Sequence, residues 1–194
     1  MKQQIALTIS RLAHPLILIS LFIIYSTYNI QEPLTAAWTS FAILGIAVIP
    51  LIGWNIWKTH KGEYTNFDVS VREQRFSMFG IIFTLSFLLI GFLYFSGQPS
   101  VLLIGSFLLI EALLLVFILN FWIKASLHMT ISTFICCGLL PLNPTLAAIL
   151  SAVVPVIGWA RITQKRHSWE EVGAGVAIGL FTGVQLLYWT GYFD

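Results

Sequence analysis

Between Arg75 and Lys124 the only charged residue is Glu111. A lipid bilayer accepts such a stretch, because a helix satisfies its own backbone polar groups and apolar side chains gain by leaving water. Water does not accept it. The chain has 194 residues, 58% hydrophobic and 9% charged, whereas a soluble domain devotes about a quarter of its residues to charge. So few charges cannot cover a compact soluble body. The sequence predicts an all-α, polytopic bundle of six to seven transmembrane helices, one domain over residues 1–194, with the bilayer as its first partner. A net charge of +2, without runs of like charge, argues against a nucleic-acid partner.

Apolar segments separated by charges and turn residues fall at 12–30, 34–57, 76–96, 101–123, 126–140, 144–160 and 171–190, against the roughly 20 residues a crossing needs. Seven spans is the preferred count. The turn Ser96-Gly97-Gln98-Pro99-Ser100 divides the third segment from the fourth, and Pro141-Leu142-Asn143-Pro144 divides the fifth from the sixth. The fifth and sixth segments are short, so they require thinned lipid or cover from neighbouring helices. The first segment follows Lys2 and Arg11 as in a signal peptide but lacks a small-x-small cleavage site near Tyr25-Ser26-Thr27-Tyr28, which predicts a retained signal anchor.

Threading these segments through a bilayer puts every Lys and Arg on one face, shared by the amino terminus and the loops near 58–75, 124 and 161–170. Lys2, Arg11, Lys58, Lys61, Lys165 and Arg166 have no chemical task on this reading, and they predict a cytoplasmic location for that face. Trp54, Trp57, Trp122, Trp159 and Trp169 cluster at the same face, with Trp38, Trp189, Tyr28 and Tyr94 near the opposite one, as interfacial aromatic belts do.

Three separate segments bring Arg75, Lys124, Ser126, His128, Arg161, His167 and Glu171 to the cationic face. Guanidinium forks grip phosphate oxygens in pairs, and an ammonium or hydroxyl fills the remaining positions. One imidazole can attack phosphorus while another protonates the departing oxygen, and a carboxylate can hold the attacking ring in its productive tautomer. Glu171 follows His167 by four residues, one helical turn away. The inventory suits a phosphate ester.

These residues also lie in a recognisable order. Arg161, five residues, His167, three residues and Glu171 make one element; Ser126-Leu127-His128 makes a second; Asp68, six residues and Arg75 make a third. Over about 68–185 the chain resembles the type 2 phosphatidic acid phosphatase superfamily of integral membrane lipid phosphatases. Its elements read Lys-x6-Arg-Pro, Pro-Ser-Gly-His and Ser-Arg-x5-His-x3-Asp. The resemblance implies His167 as nucleophile through a phosphohistidine, Glu171 as its orienting group, His128 as general acid, and Arg75, Ser126 and Arg161 as phosphate ligands. Asp68 stands where the family has Lys, and Lys124 or Arg72 then supplies the missing cation. No cofactor and no metal is required, although an acid at 68 leaves room for a bridging Mg²⁺. The implied substrate is a lipid phosphate, with an isoprenoid mono- or diphosphate expected first because short loops leave little protein to read a large headgroup. Phosphatidic acid and phosphatidylglycerol phosphate are further candidates.

Other features have plainer readings. Ser168 and Glu171 also fit a capping box. Gly175, Gly179 and Gly183 recur every four residues, a stripe for close helix packing. Cys136 and Cys137 are adjacent in an apolar stretch and read as small hydrophobes, and His14 and His60 read as structural. Glu111 in the fourth segment marks either a transport path or a hydrogen-bonded carboxyl. A transport or non-catalytic lipid-binding protein, or a lipid phosphotransferase, is therefore the alternative to a phosphatase.

Overall fold

The computed structural model describes residues 1–193, which form helices and the turns between them. Helix α1 (Lys2–Leu12) meets α2 (Pro15–Ile30) at a break, and α3 (Pro33–Ile43) runs through a π-helical turn (Leu44–Val48) into α4 (Ile49–His60). There follow α5 (Arg75–Phe95), α6 (Ser100–Leu119), α7 (Leu127–Leu139), α8 (Pro144–Thr163) and α9 (Trp169–Trp189). Local chemistry sets most boundaries. Pro15, Pro33 and Pro144 open their helices, where the missing N–H costs nothing. The Asn143 side chain caps α8 by accepting from the Leu146 amide at 2.9 Å. Gly97, at φ 65°, makes the turn between α5 and α6. Pro50 cannot donate to the carbonyl one turn back, and the widened π-helical turn lies just ahead of it.

Six helical stretches are long and apolar enough to cross a membrane: Lys2–Ile30, Pro33–His60, Arg75–Phe95, Ser100–Leu119, Pro144–Thr163 and Trp169–Trp189. This is a multi-pass membrane architecture. The fifth apolar segment, α7, has 13 residues and is about 20 Å long, short of the roughly 30 Å of hydrocarbon in a bilayer. It survives by being covered. Every residue from His128 to Leu139 is buried, with α9, α8 and α2 packed around it.

Two expectations need correction. The sixth segment is not short: α8 has 20 residues and continues through Arg161 to Thr163. A charge marks a boundary only when it must stay in water, and Arg161 is buried and neutralised inside the bundle. Residues 2–12 are not merely a flank of the first span. They form α1, which packs along α8 and places Ala6 and Ser10 in the interior.

The glycine stripe on α9 lies against α7. A Cβ at Gly175 would stand 2.6 Å from the Ser126 carbonyl oxygen, one at Gly179 2.5 Å from the Thr130 carbonyl oxygen, and one at Gly183 2.6 Å from Cys137 Sγ. At the first two positions the obstacle is backbone, so the helices approach more closely than any side chain allows. Gly179→Ala should therefore destabilise the fold by about 1–3 kcal/mol, read as a lower unfolding temperature in detergent. Gly173→Ala, which meets nothing within 4 Å, should be neutral.

Candidate active site

Four chain segments converge at one end of the bundle: the α1–α2 junction, the loop between α4 and α5, the start of α7, and the turn from α8 to α9. The last is built by a left-handed residue. Lys165, at φ 55°, closes α8 with its amide 2.8 Å from the Ile162 carbonyl, and the Arg166 amide returns to the Arg161 carbonyl at 3.0 Å. Ser168 then caps α9, which leaves His167 in the short link between the helices.

His167 Nδ1 lies 2.7 Å from Glu171 Oε2. The same oxygen accepts the Ser168 amide at 3.3 Å, and Ser168 Oγ accepts the Glu171 amide at 3.3 Å. The capping box and the imidazole–carboxylate pair are thus one arrangement, in which the cap fixes the carboxylate that orients the ring. A hydrogen on Nδ1 directed at Glu171 leaves the Nε2 lone pair free to act as a nucleophile. Burial, followed by the positive charges around Arg75, Arg161, Lys124 and His128, pushes the His167 imidazolium down to about 2.

Two guanidinium groups are buried beside this link. Arg75 is 2% exposed and Arg161 is 1% exposed. Arg75 donates from Nε to the Val69 carbonyl at 3.2 Å and from Nη1 to the Ala125 carbonyl at 2.9 Å. Arg161 donates from Nη1 to Ser10 Oγ at 2.6 Å and to Asp68 Oδ2 at 2.9 Å. Its Nε is buried without a partner among the described residues, and so is the hydroxyl of Ser126. Buried polar atoms are rarely left in this condition. Both belong to residues that the sequence assigns to phosphate. The Ser126 amide donates to the Glu171 carbonyl at 3.0 Å, which joins the start of α7 to the start of α9.

Asp68 is the counter-charge. Its Oδ2 takes Arg161 and its Oδ1 lies 3.2 Å from His14 Nε2. Burial alone would raise the Asp68 carboxyl, but the bond from His14 and the charge of Arg161 hold it well below the usual carboxylate range. The backbone is strained to achieve this. Val69, the next residue, adopts φ 46° although it is β-branched, and it is completely buried. Asp68 faces the site while the Val69 carbonyl meets Arg75.

His14, read from the sequence as structural, belongs to this cluster. Its Nδ1 accepts the Leu16 amide at 3.2 Å, so the ring hydrogen is on Nε2 and points at Asp68. The ring is edge-on to His128, with centroids 5.6 Å apart. Ser10 is the other residue that the sequence reading missed. It accepts from Arg161, and its carbonyl lies 3.3 Å from His128 Nε2. The one signal for either was their position on the cationic face.

His14, Asp68, Arg75, His128 and Arg161 roof an inner cavity of about 150 Å³ whose walls below are mostly apolar, with Asn55, Ser86 and Ser106 as the uncharged polar exceptions. Lys124, Glu171 and Arg72 instead line an outer cleft of about 380 Å³ with Trp122 and Ser168. Lys124 Nζ donates to the Ser70 carbonyl at 3.0 Å, and burial, only partly opposed by Glu171, lowers its ammonium. Arg72 donates to the Trp122 carbonyl at 3.0 Å. These two cations stand outside the inner roof, and Lys124 is near enough to His167 for its charge to act on the ring. Both oxygens of Asp68 are engaged, and among the described residues no three His, Cys, Asp or Glu side chains converge as a metal site. Glu111 is tied to another helix: Gln185 Nε2 of α9 donates to its two oxygens at 3.2 Å each.

The chain matches no protein family model, no curated protein and no solved structure.

With the charge arrangement described, His167 should remain the neutral, Nδ1-protonated tautomer across about pH 5–8. Nitrogen chemical shifts of ring-labelled protein report this directly. A titration of His167 near its ordinary value would show that the ring is solvated and that the charge environment is wrong. Glu171→Gln should move the ring proton away from Nδ1, because an amide no longer favours a donor there.

Proposed function

We propose that the protein is a membrane-embedded lipid phosphatase that hydrolyses an isoprenoid or glycerolipid phosphate or diphosphate through a phosphohistidine. The observation that carries this reading is the pair of partnerless buried donors, Arg161 Nε and Ser126 Oγ, at the site where His167 is held by Glu171. A phosphate oxygen is the group that satisfies a guanidinium edge and a hydroxyl together. The free edge of Arg161 is fixed because Asp68 and Ser10 hold its opposite nitrogen.

In the first step His167 Nε2 attacks phosphorus, the bond from phosphorus to the lipid oxygen breaks, and the electron pair leaves with that oxygen. His128 supplies the proton. Its Nε2 is engaged by the Ser10 carbonyl, so Nδ1 is the atom that takes up a proton when the anionic phosphate enters beside it and passes that proton to the departing oxygen. In the second step His128, now neutral, removes a proton from water, whose oxygen attacks phosphorus and displaces His167. Arg75 and Arg161 stabilise the charge that gathers on the phosphoryl oxygens in both steps. The outer cleft beside Glu171 gives water an approach separate from the apolar cavity that meets the lipid.

His167→Ala should abolish turnover of farnesyl phosphate and of phosphatidic acid by folded protein, and Glu171→Gln should lower it by roughly 10²–10⁴-fold. A brief reaction with ³²P-labelled substrate should leave acid-labile, base-stable label on wild-type protein and none on His167→Ala. Near wild-type activity in His167→Ala overturns the mechanism.

The cations on the site's face support a cytoplasmic location for the site. Thr65 lies on that face and Ser100 on the other, and both are exposed. In a background without Cys136 and Cys137, a cysteine at 100 should label on intact cells with an impermeant thiol reagent, and one at 65 should be protected. The reverse pattern places the site outside.

A further inference from the structure

The inner cavity continues downward. A second cavity, about 460 Å³, begins where the first ends, and the two share the wall residues Ile19, Ile23, Ile43, Leu89, Ser106 and Leu109. The second reaches Thr190 and Tyr192 at the far end of α9 and passes Gly138, Pro141 and Leu142, where α7 stops. This space runs along the last turns of α7, at Phe134 and Gly138, and past its end at Pro141 and Leu142. Together the cavities make one corridor beneath the Arg75 and Arg161 roof. Along α5 it extends about 16 Å from Arg75 to Ser86 and about 21 Å to Leu89 at the helical rise. Among the described residues that line it, the charged ones all belong to the roof.

We infer that this corridor is the binding site for one linear hydrocarbon tail, that it measures the length of that tail, and that the substrate is a single-tailed lipid phosphate. The inference rests on the phosphatase reading for the position of the phosphate. Continuity with the roof identifies the occupant. A phosphate at Arg161 and Ser126 leaves its esterified chain to run down the corridor, between α2 on one side and α5 and α6 on the other. A diacyl lipid would leave its second tail without a channel. Ser86 lines the upper cavity only, whereas Ser106 lines both, so they lie at two depths along the same path. A large side chain at either position would act as a stop.

The test uses full-length protein in detergent with dimethylallyl, geranyl, farnesyl and geranylgeranyl diphosphates, and with dipalmitoyl phosphatidic acid. For the wild type, kcat/KM should rise by roughly tenfold or more with each added isoprene unit, and the gain should continue for tails long enough to pass Ser106. Phosphatidic acid should be turned over at less than about a tenth of the farnesyl rate. Ser106→Phe should remove the gain for the longest tails, and Ser86→Phe should bring the cut-off at least one unit nearer the phosphate. A merely destabilising substitution would lower all lengths together, and that result in variants eluting as folded protein overturns the corridor, as does an unchanged length profile. Equal rates for phosphatidic acid and farnesyl diphosphate overturn the single tail. Binding of radiolabelled farnesyl diphosphate to His167→Ala separates the two readings. Length-dependent binding that Ser106→Phe weakens, with no turnover of any substrate by wild type, keeps the corridor and rejects the phosphatase. Turnover without length dependence does the opposite, and no binding at all rejects the corridor.

Discussion

Two guanidinium groups are buried at one end of a bundle made almost wholly of apolar side chains, and everything around them is arranged to make that tolerable. An uncompensated charge in such a place would cost several kcal/mol. Arg161 is neutralised by Asp68 and held by Ser10, while Arg75 is held by the carbonyls of Val69 and Ala125. These partners come from α1, from the loop before α5 and from the start of α7. The charges thus organise segments far apart in sequence. Compensation is incomplete at Arg161 Nε, and the Ser126 hydroxyl is likewise buried without a partner among the described residues.

The loop from Lys61 to Gln74 illustrates how far the backbone goes to serve this end. Tyr64 packs into the core and its hydroxyl lies 2.6 Å from Ser77 Oγ, while Trp54 donates to it at 3.2 Å. Val69 is buried in the same cluster at a backbone angle that β-branched residues avoid. Packing of its side chain opposes the strain, and Asp68 is thereby fixed between His14 and Arg161. The longest hydrophilic segment of the chain is an ordered part of the site.

A second constraint is geometric. The short α7 carries Ser126 and His128 at its start and must be held at a fixed depth, since it is too short to be positioned by the two membrane surfaces. The glycine stripe of α9 does this through close contact with the α7 backbone, and the bond from the Ser126 amide to the Glu171 carbonyl sets the relative height of the two helices. The Glu171 carboxylate that holds His167 and the Ser126 hydroxyl are therefore carried by two helices joined at one height.

Much of this was legible in the sequence, for a physical reason. Helices in lipid are specified by local composition, so apolar runs, prolines and turn residues placed every helix but α1 within a few residues, and the spacing of His167 and Glu171 foretold a contact across one helical turn. Cations collected on one face for the same local reason. What the sequence could not determine was pairing across distance. Arg161 looked like the end of a span because its partner, Asp68, is far away in the chain, and Asp68 looked like a misplaced acid until Arg161 and His14 came to its two oxygens. His14 and Ser10 carried no pattern that tied them to the site. Tertiary structure alone decided which buried charges neutralise one another, which donors are left open, and where the helices leave a cavity, because those outcomes depend on the packing of whole helices and on no local property of any one of them.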